Sequence, residues 1–290
     1  MKEKKFLSIL SIVALLIWAA VFYFPDNNLH LVFCNVGQGD AILVSKGFNQ
    51  VLIDGGPDER VLECLSDNLP FWDRTIEMVV LTHPQADHLT GLISVLERYN
   101  VGHFVINNIV NDTERFWRFR EALIEEGTEI YNPKVGDKIK IANMSFTVLW
   151  PQEKLGNPLV WKREASEKVL GASAYSGNFN ETSVVLQFSF GKFCALLTGD
   201  IGQATESQLD RVQPCQVLKL AHHGSKYSTS TEFLKKIQPD LAVISVGKNS
   251  FGHPSQEALE RLASADAKIL RTDQNSEIEI VSDGKRWRVK

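Results

Sequence analysis

Val79-Val80-Leu81-Thr82-His83-Pro84-Gln85-Ala86-Asp87-His88-Leu89-Thr90-Gly91-Leu92 is the stretch on which the fold turns. An apolar strand runs straight into a loop that holds two His and one Asp between positions 83 and 88. Pro84 keeps His83 out of helical geometry. The apolar run then resumes at helical spacing with Leu89, Leu92, Ile93 and Leu96. A strand-to-helix turn that crowds imidazole and carboxylate together is a chelating loop, since these donors suit zinc, manganese or iron.

Three further strands end in the same kind of residue. Leu196-Leu197-Thr198-Gly199-Asp200 closes on a carboxylate, and Val217-Leu218-Lys219-Leu220-Ala221-His222-His223-Gly224-Ser225 closes on adjacent imidazoles. Ala242–Gly247 is followed by Phe251-Gly252-His253-Pro254. Singly, a Gly-Asp strand end is common and a lone His after a strand is more often structural. Four such ends together point to a site at the carboxyl ends of strands in a layered α/β fold.

Outward from these motifs the pattern predicts strands at Leu31–Phe33, Ala41–Val44, Val51–Ile53, Met78–Leu81, Ser145–Trp150, Ser183–Phe190 and Lys192–Leu197. Helical spacing covers Glu59–Leu69, Leu89–Arg98 and Thr113–Glu126. The closing third predicts helices at 202–211, 229–237 and 255–263, and strands at 216–220, 241–246, 267–271, 277–282 and 285–289. Residues 152–179 make too long a connection to be ordinary, and read either as a surface insertion or as a lid. The whole of 26–290 reads as one domain of two sheets with helices outside.

At 290 residues, 44% hydrophobic and 23% charged, the chain is not disordered, collagenous or coiled-coil. Its net charge is −4, of which residues 1–24 contribute +2 and the remainder −6. An acidic body is no general sponge for polyanions; nucleic acid would need a local patch or a metal. Phe6–Phe24 is an apolar run without a charge, preceded by Lys2, Lys4 and Lys5 and ended by Pro25. As a helix it would span roughly 28 Å, close to bilayer thickness. The expectation is an uncleaved single-pass anchor at 6–24 behind a cytoplasmic tail at 1–5, with residues 26–290 outside the cytoplasm. A cleaved signal is the alternative. Cys34, Cys64, Cys194 and Cys215 show no metal-finger spacing and are expected as buried thiols, with a disulfide as the alternative in an oxidising compartment.

Taken together, Phe33-Cys34-Asn35-Val36-Gly37-Gln38-Gly39-Asp40-Ala41, Val51-Leu52-Ile53-Asp54-Gly55-Gly56, the His83–Leu92 loop, Leu197–Asp200, Leu218–Ser225 and Ser245–Pro254 resemble the metallo-β-lactamase superfamily. Within it they look most like the extracytoplasmic hydrolase domain of ComEC-type DNA-uptake proteins. That resemblance implies a four-layer αββα sandwich with a metal site at the mouth between the sheets. It matches His83, Asp87 and His88 to the metal loop and Asp200 to a bridging carboxylate. His253 and one or both of His222 and His223 complete the shell. Asp54 is the acidic residue behind the site, set to orient a ligand, and Asp87 is either a ligand or the general base. Asp40 helps set the site. Two departures stand out: Gln85 replaces a His or acidic residue, and Asn35 replaces an Asp, which leaves one metal position weak or suited to manganese rather than zinc.

The expected activity is that of a membrane-anchored hydrolase using one or two divalent ions, manganese or zinc, on DNA or another phosphodiester during DNA uptake. Its partners are the membrane and a separate channel protein. Ser225, Lys226 and Asn180 are the expected substrate contacts; Lys226 with the hydroxyls of Ser225, Ser228, Thr229 and Ser230 suits a phosphate, and helix capping is the bland role of the serines. The alternatives are hydrolysis of a small phosphoester, ester or lactam at the cell envelope, or a relative that has lost its metal and its activity.

Overall fold

Apolar residues of two sheets pack on each other across one shared interface. In the computed structural model, which describes residues 2–22, 24–163 and 175–290, the first sheet contains β1 (Leu29–Phe33), β2 (Ile42–Lys46), β3 (Asn49–Ile53), β4 (Thr75–Leu81), β5 (Asn100–Ile106), β6 (Glu129–Tyr131), β14 (Ile278–Ser282) and β15 (Trp287–Val289). Their order is β15-β14-β1-β2-β3-β4-β5-β6. The second contains β7 (Lys138–Ile141), β8 (Met144–Trp150), β9 (Val185–Phe190), β10 (Phe193–Leu197), β11 (Val217–Lys219), β12 (Leu241–Ile244) and β13 (Lys268–Arg271), in the order β13-β12-β11-β10-β9-β8-β7.

The period of two assigns each side chain to a layer. Leu31, Phe33, Ile42, Val44, Val51, Ile53, Met78 and Val80 face Phe146, Leu186, Phe188, Ala195, Val217 and Val243 across the sandwich. Their neighbours Val32, Leu43, Leu52, Val79 and Leu81 face outward onto α2 (Arg60–Asn68), α3 (Ala86–Leu96) and α4 (Glu114–Glu126). Leu196, Leu218, Ala242 and Ile244 do the same for α6 (Thr231–Ile237) and α7 (Gln256–Ser264). The result is the expected αββα layering. Strands β3, β4, β5 and β6 run parallel, as do β10, β11, β12 and β13. Parallel neighbours need a crossover, which the helices supply. Asp54, His83, Asp200, the His222-His223 pair and His253 all follow carboxyl ends of these strands.

Local chemistry sets the helix ends. Thr113, Ser230 and Ser255 accept the backbone N–H groups of Phe116, Phe233 and Ala258, and so cap α4, α6 and α7. The helix expected over 202–211 is only α5 (Gln203–Glu206). It stops where the buried Glu206 carboxylate takes the N–H groups of Thr229 and Ser230. Strand β5 has no counterpart in the sequence reading, because Gly102 and the exposed His103 interrupt its alternation. The short strands β6 and β7 were also missed.

The expected buried thiols are a correction. Cys34 is bonded to Cys64, tying the end of β1 to α2, and Cys194 is bonded to Cys215 between β10 and the approach to β11. Sequence spacing could not reveal either pair, since each is closed by tertiary contact across 30 and 21 residues. The connection at 152–179 is held down at its start: Trp161 donates from its indole to Asn108 Oδ1 at 2.9 Å, and Val160 is part of the helix-covered core. Any lid formed by 164–174 lies outside the described residues.

The N-terminal segment forms the helix α1 (Lys2–Phe22). The anchor expected over 6–24 falls partly on residues 16–23, whose side chains lie outside those described. Among the described residues no helix is long and apolar enough to cross a membrane.

Candidate metal centre

Glycine lets the loops that carry the site approach closely. A Cβ on Gly39 would lie 2.3 Å from the Asp87 carbonyl, and φ at Gly39 is +148°, so the β1–β2 turn can lie against the chelating loop only through glycine. Asp40 N–H donates to that same Asp87 carbonyl at 3.2 Å. A Cβ on Gly91 would stand 2.0 Å from the Gly55 carbonyl, so its absence lets α3 rest on the turn after β3. That turn in turn receives the α3 backbone, with Gly55 N–H donating to His88 O at 2.7 Å.

Asp54 adopts φ 59° directly after β3, a costly geometry for a residue with a side chain. There its carboxylate accepts from Thr82 N–H, Thr82 Oγ1 and His88 Nδ1, each at 2.8 Å. With its Nδ1 proton committed to Asp54, His88 presents a lone pair at Nε2. His223 is oriented in the same way by a different partner: Nδ1–H donates to the Ser245 carbonyl at 2.8 Å. Both Nε2 atoms are buried and without a hydrogen-bond partner. They face the carboxylates of Asp87 and Asp200. His88 Nε2 lies 3.4 Å from Asp200 Oδ2 and 3.9 Å from Asp87 Oδ2, and His223 Nε2 lies 3.2 Å and 3.5 Å from the same two oxygens.

These four donors fit a divalent ion. Ligand atoms about 2.0–2.1 Å from a tetrahedral ion stand roughly 3.3 Å from one another. The four atoms here lie within 4.8 Å of each other, and each imidazole is fixed by an outer partner in the way metal-binding histidines are. Among the described residues two other groups have comparable spacing. Asp40, Asp54 and His88 form the layer behind this one, and Cys34, Cys64 and Glu277 include a closed disulfide.

Electrostatics favours a cation at the same point. Burial works against charge on His223, but Asp200 and Asp40 outweigh it and push its pKa up to about 10. Burial is likewise overcome at His88, which Asp200, Asp54 and Asp87 hold well above the ordinary range. Burial would raise Asp200, yet His223, His88 and Lys219 hold it well below the usual carboxylate range. Protons and a metal ion would compete for the two Nε2 atoms, so metal uptake should release protons.

Lys219 was not singled out in the sequence, although a lysine inside Val217-Leu218-Lys219-Leu220 is a signal that could have found it. It is fully buried, donates from Nζ to Gly199 O at 2.9 Å and Asp200 Oδ1 at 3.3 Å, and pairs with Asp40 Oδ2. Burial opposes its charge, but Asp40 and Asp200 raise its pKa above the ordinary lysine value.

The other expected site residues lie around the cluster. His83 lies against His88 with ring centres 4.1 Å apart and planes inclined by 53°, but its Nε2 stands 2.8 Å from Gln85 Oε1 and its Nδ1 faces the hydroxyls of Thr82 and Ser183. Burial and the His88 charge lower its pKa to about 3, which keeps the ring neutral. His222 and His223 both have positive φ, 50° and 53°, and their side chains part company. Only His223 joins the four-donor group. His222 lies 5.3 Å from the His253 ring, and its nitrogens are 3.2 and 3.4 Å from Asn180 Nδ2. Burial lowers the pKa of His222, and burial with His222 and His223 brings His253 down to about 4. The hydroxyl run after His223 is largely spoken for: Ser228 donates to Ile201 O and Ser230 caps α6. Ser225 and Lys226 line a cavity with His222 and His253.

Residues 34–248 match the family described as the Metallo-beta-lactamase superfamily. The chain belongs to that superfamily. Among curated proteins this metallo-β-lactamase chain is 30% identical over 273 residues to ComE operon protein 3 of Bacillus subtilis, covering 84% of this chain and 32% of that protein. It is 26% identical to Competence protein ComA of Neisseria gonorrhoeae, covering 86% and 32%. The chain thus spans about a third of the length of these curated relatives, which are of the ComEC competence type. Of solved structures, the metallo-beta-lactamase fold protein YhfI from Bacillus subtilis superposes with a TM-score of 0.55 at 11% identity, over 87% of this chain and 99% of that one, which is a likeness of fold. Family, fold and donor cluster make the protein a metal-dependent hydrolase.

The outer partner of His88 gives a direct expectation. Asp54→Asn removes the charge that fixes the His88 tautomer and should weaken metal affinity about 10- to 100-fold. Competition of the purified protein against a chelator measures this; an unchanged affinity would remove Asp54 from any orienting role.

Proposed function

We propose that the chain is a phosphodiesterase that cleaves DNA outside the cytoplasm, with Asp87, His88, Asp200 and His223 holding a manganese or zinc ion. The observation that carries the hydrolytic part is the convergence of two buried, unpartnered imidazole Nε2 atoms on two carboxylates. The competence-type relatives support DNA as the substrate. Two nitrogen and two oxygen donors suit either metal.

A divalent ion in this group supplies Lewis acidity and activates water at neutral pH. The residues do the rest. Asp54 and Ser245 O hold the two imidazoles in the tautomers that expose Nε2. Lys219 pairs with both Asp40 and Asp200, and with His223 and His88 it keeps Asp200 ionised in a buried site. Asp87 is the most open of the four donors, with its side chain one-third exposed. Lys226 and Ser225 face substrate, and Asn180 steadies His222.

Two disulfides support an oxidising compartment. The charge-free run 6–24 behind three lysines supports a single anchor in the cell membrane, with the catalytic part extracytoplasmic and a separate channel protein as partner. The test uses the purified full chain on end-labelled single- and double-stranded DNA, with manganese and zinc titrated in parallel and Asp87→Asn as the blank. Metal-dependent cleavage that vanishes in the blank is the expected result. No cleavage with either ion overturns DNA as the substrate.

A further inference from the structure

Beside the metal cluster, the loop after His223 and the loop before His253 wall a cavity of about 500 Å³ that contains His222, Ser225, Lys226, Tyr227, Phe251 and His253. Two of its aromatic side chains are largely exposed, Tyr227 at 70% and Phe251 at 71%. Neither supports the core. The rings run inward from the surface, with Phe251 5.8 Å from His253, His253 5.3 Å from His222, and His222 6.3 Å from His223 of the donor group. Lys226 Nζ sits 5.1 Å from the centre of the Tyr227 ring.

We infer that Tyr227 and Phe251 form a stacking site for a nucleobase of single-stranded DNA next to the phosphodiester being cleaved. This rests on the phosphodiesterase reading above and adds to it the form of the substrate. Flat apolar rings at the mouth of a polar cavity match a base, whose faces are apolar and whose edge carries hydrogen-bonding groups. Gln256 and Glu257 line the same cavity and offer partners for such an edge. The carboxylate of Glu257 also disfavours a second phosphate there, so the cavity suits the base while Lys226 meets the backbone. Only an unpaired strand offers a free base face; in a duplex those faces are already stacked. An acidic body with a net charge of −6 over residues 25–290 makes stacking the more useful source of affinity, because the overall field does not attract a polyanion.

The test measures binding of the full chain, in the Asp87→Asn background so that strands stay intact, to a short labelled oligothymidylate and to an abasic strand of equal length. The readout is the ratio of the two affinities. The expected ratio is about tenfold or more in favour of the base-bearing strand, falling toward one in both Tyr227→Ala and Phe251→Ala and kept in Tyr227→Phe and Phe251→Trp. Melting temperatures confirm that each variant folds. If the strands bind and the alanine variants keep the ratio, the stacking site is overturned and the phosphodiesterase reading stands. If the native protein neither binds nor cleaves DNA of either kind, that reading fails and this one falls with it.

Discussion

Replacing His223 with alanine is expected to remove stoichiometric metal and to cut turnover by about 100-fold or more, whereas His222→Ala keeps the metal. The adjacent histidines are chemically the same, and position alone separates them. His223 Nε2 stands 3.2 and 3.5 Å from Asp200 and Asp87, with its other nitrogen pinned to Ser245 O. His222 faces Asn180 and His253 instead. Loss of an outer partner of a ligand already costs 10- to 100-fold, and loss of a ligand costs at least as much. Metal content after dialysis and the rate of DNA cleavage, read on the same preparation, check the pair. The reverse result, with metal lost from His222→Ala alone, would transfer the site to the His222–His253 side.

Lys219→Met is expected to destabilise the fold by about 3–5 kcal/mol, because it removes the ammonium buried between the Asp40 and Asp200 carboxylates. In a chain of this size that is a fall in melting temperature on the order of 10 °C. Asp40 and Asp200 are 1% and 2% exposed, so water cannot take over from the ammonium. The double variant Lys219→Met/Asp40→Asn should recover part of the loss, since it also removes a carboxylate charge beside the missing ammonium. Calorimetric melting of the three proteins checks it. Equal melting temperatures for all three would show that the ion pair contributes nothing to holding the site together.

Much of this was legible in the chain itself, and for identifiable reasons. The near-continuous apolar run Val79-Val80-Leu81 and its counterparts at 196–197, 217–220 and 242–246 report burial on both sheet faces, and each run ends where a donor begins. Residue type limits the chemistry of those donors, so Asp87, His88 and Asp200 could be nominated before any contact was known. Strand β5 was not legible, because Gly102 and exposed His103 erase the pattern that a partly open strand leaves. The helix expected over 202–211 is shorter in the structure, because a buried Glu206 drawn to the Thr229 and Ser230 amides ends it early.

The sequence by itself determined the two-sheet class, the order of the strand ends and the stock of imidazoles and carboxylates along them. Only the tertiary structure decided which of them meet. His223 enters the cluster and His222 leaves it because two consecutive residues take positive φ, a local geometry that residue type does not announce. His83 faces Gln85 at one nitrogen and the Thr82 and Ser183 hydroxyls at the other, and the Ser183 contact depends on a segment 100 residues away. Lys219 reaches Asp40, and Cys34 reaches Cys64, by the same kind of long-range approach. Periodicity reports which face a residue occupies; what stands opposite that face is fixed only when two sheets close on each other.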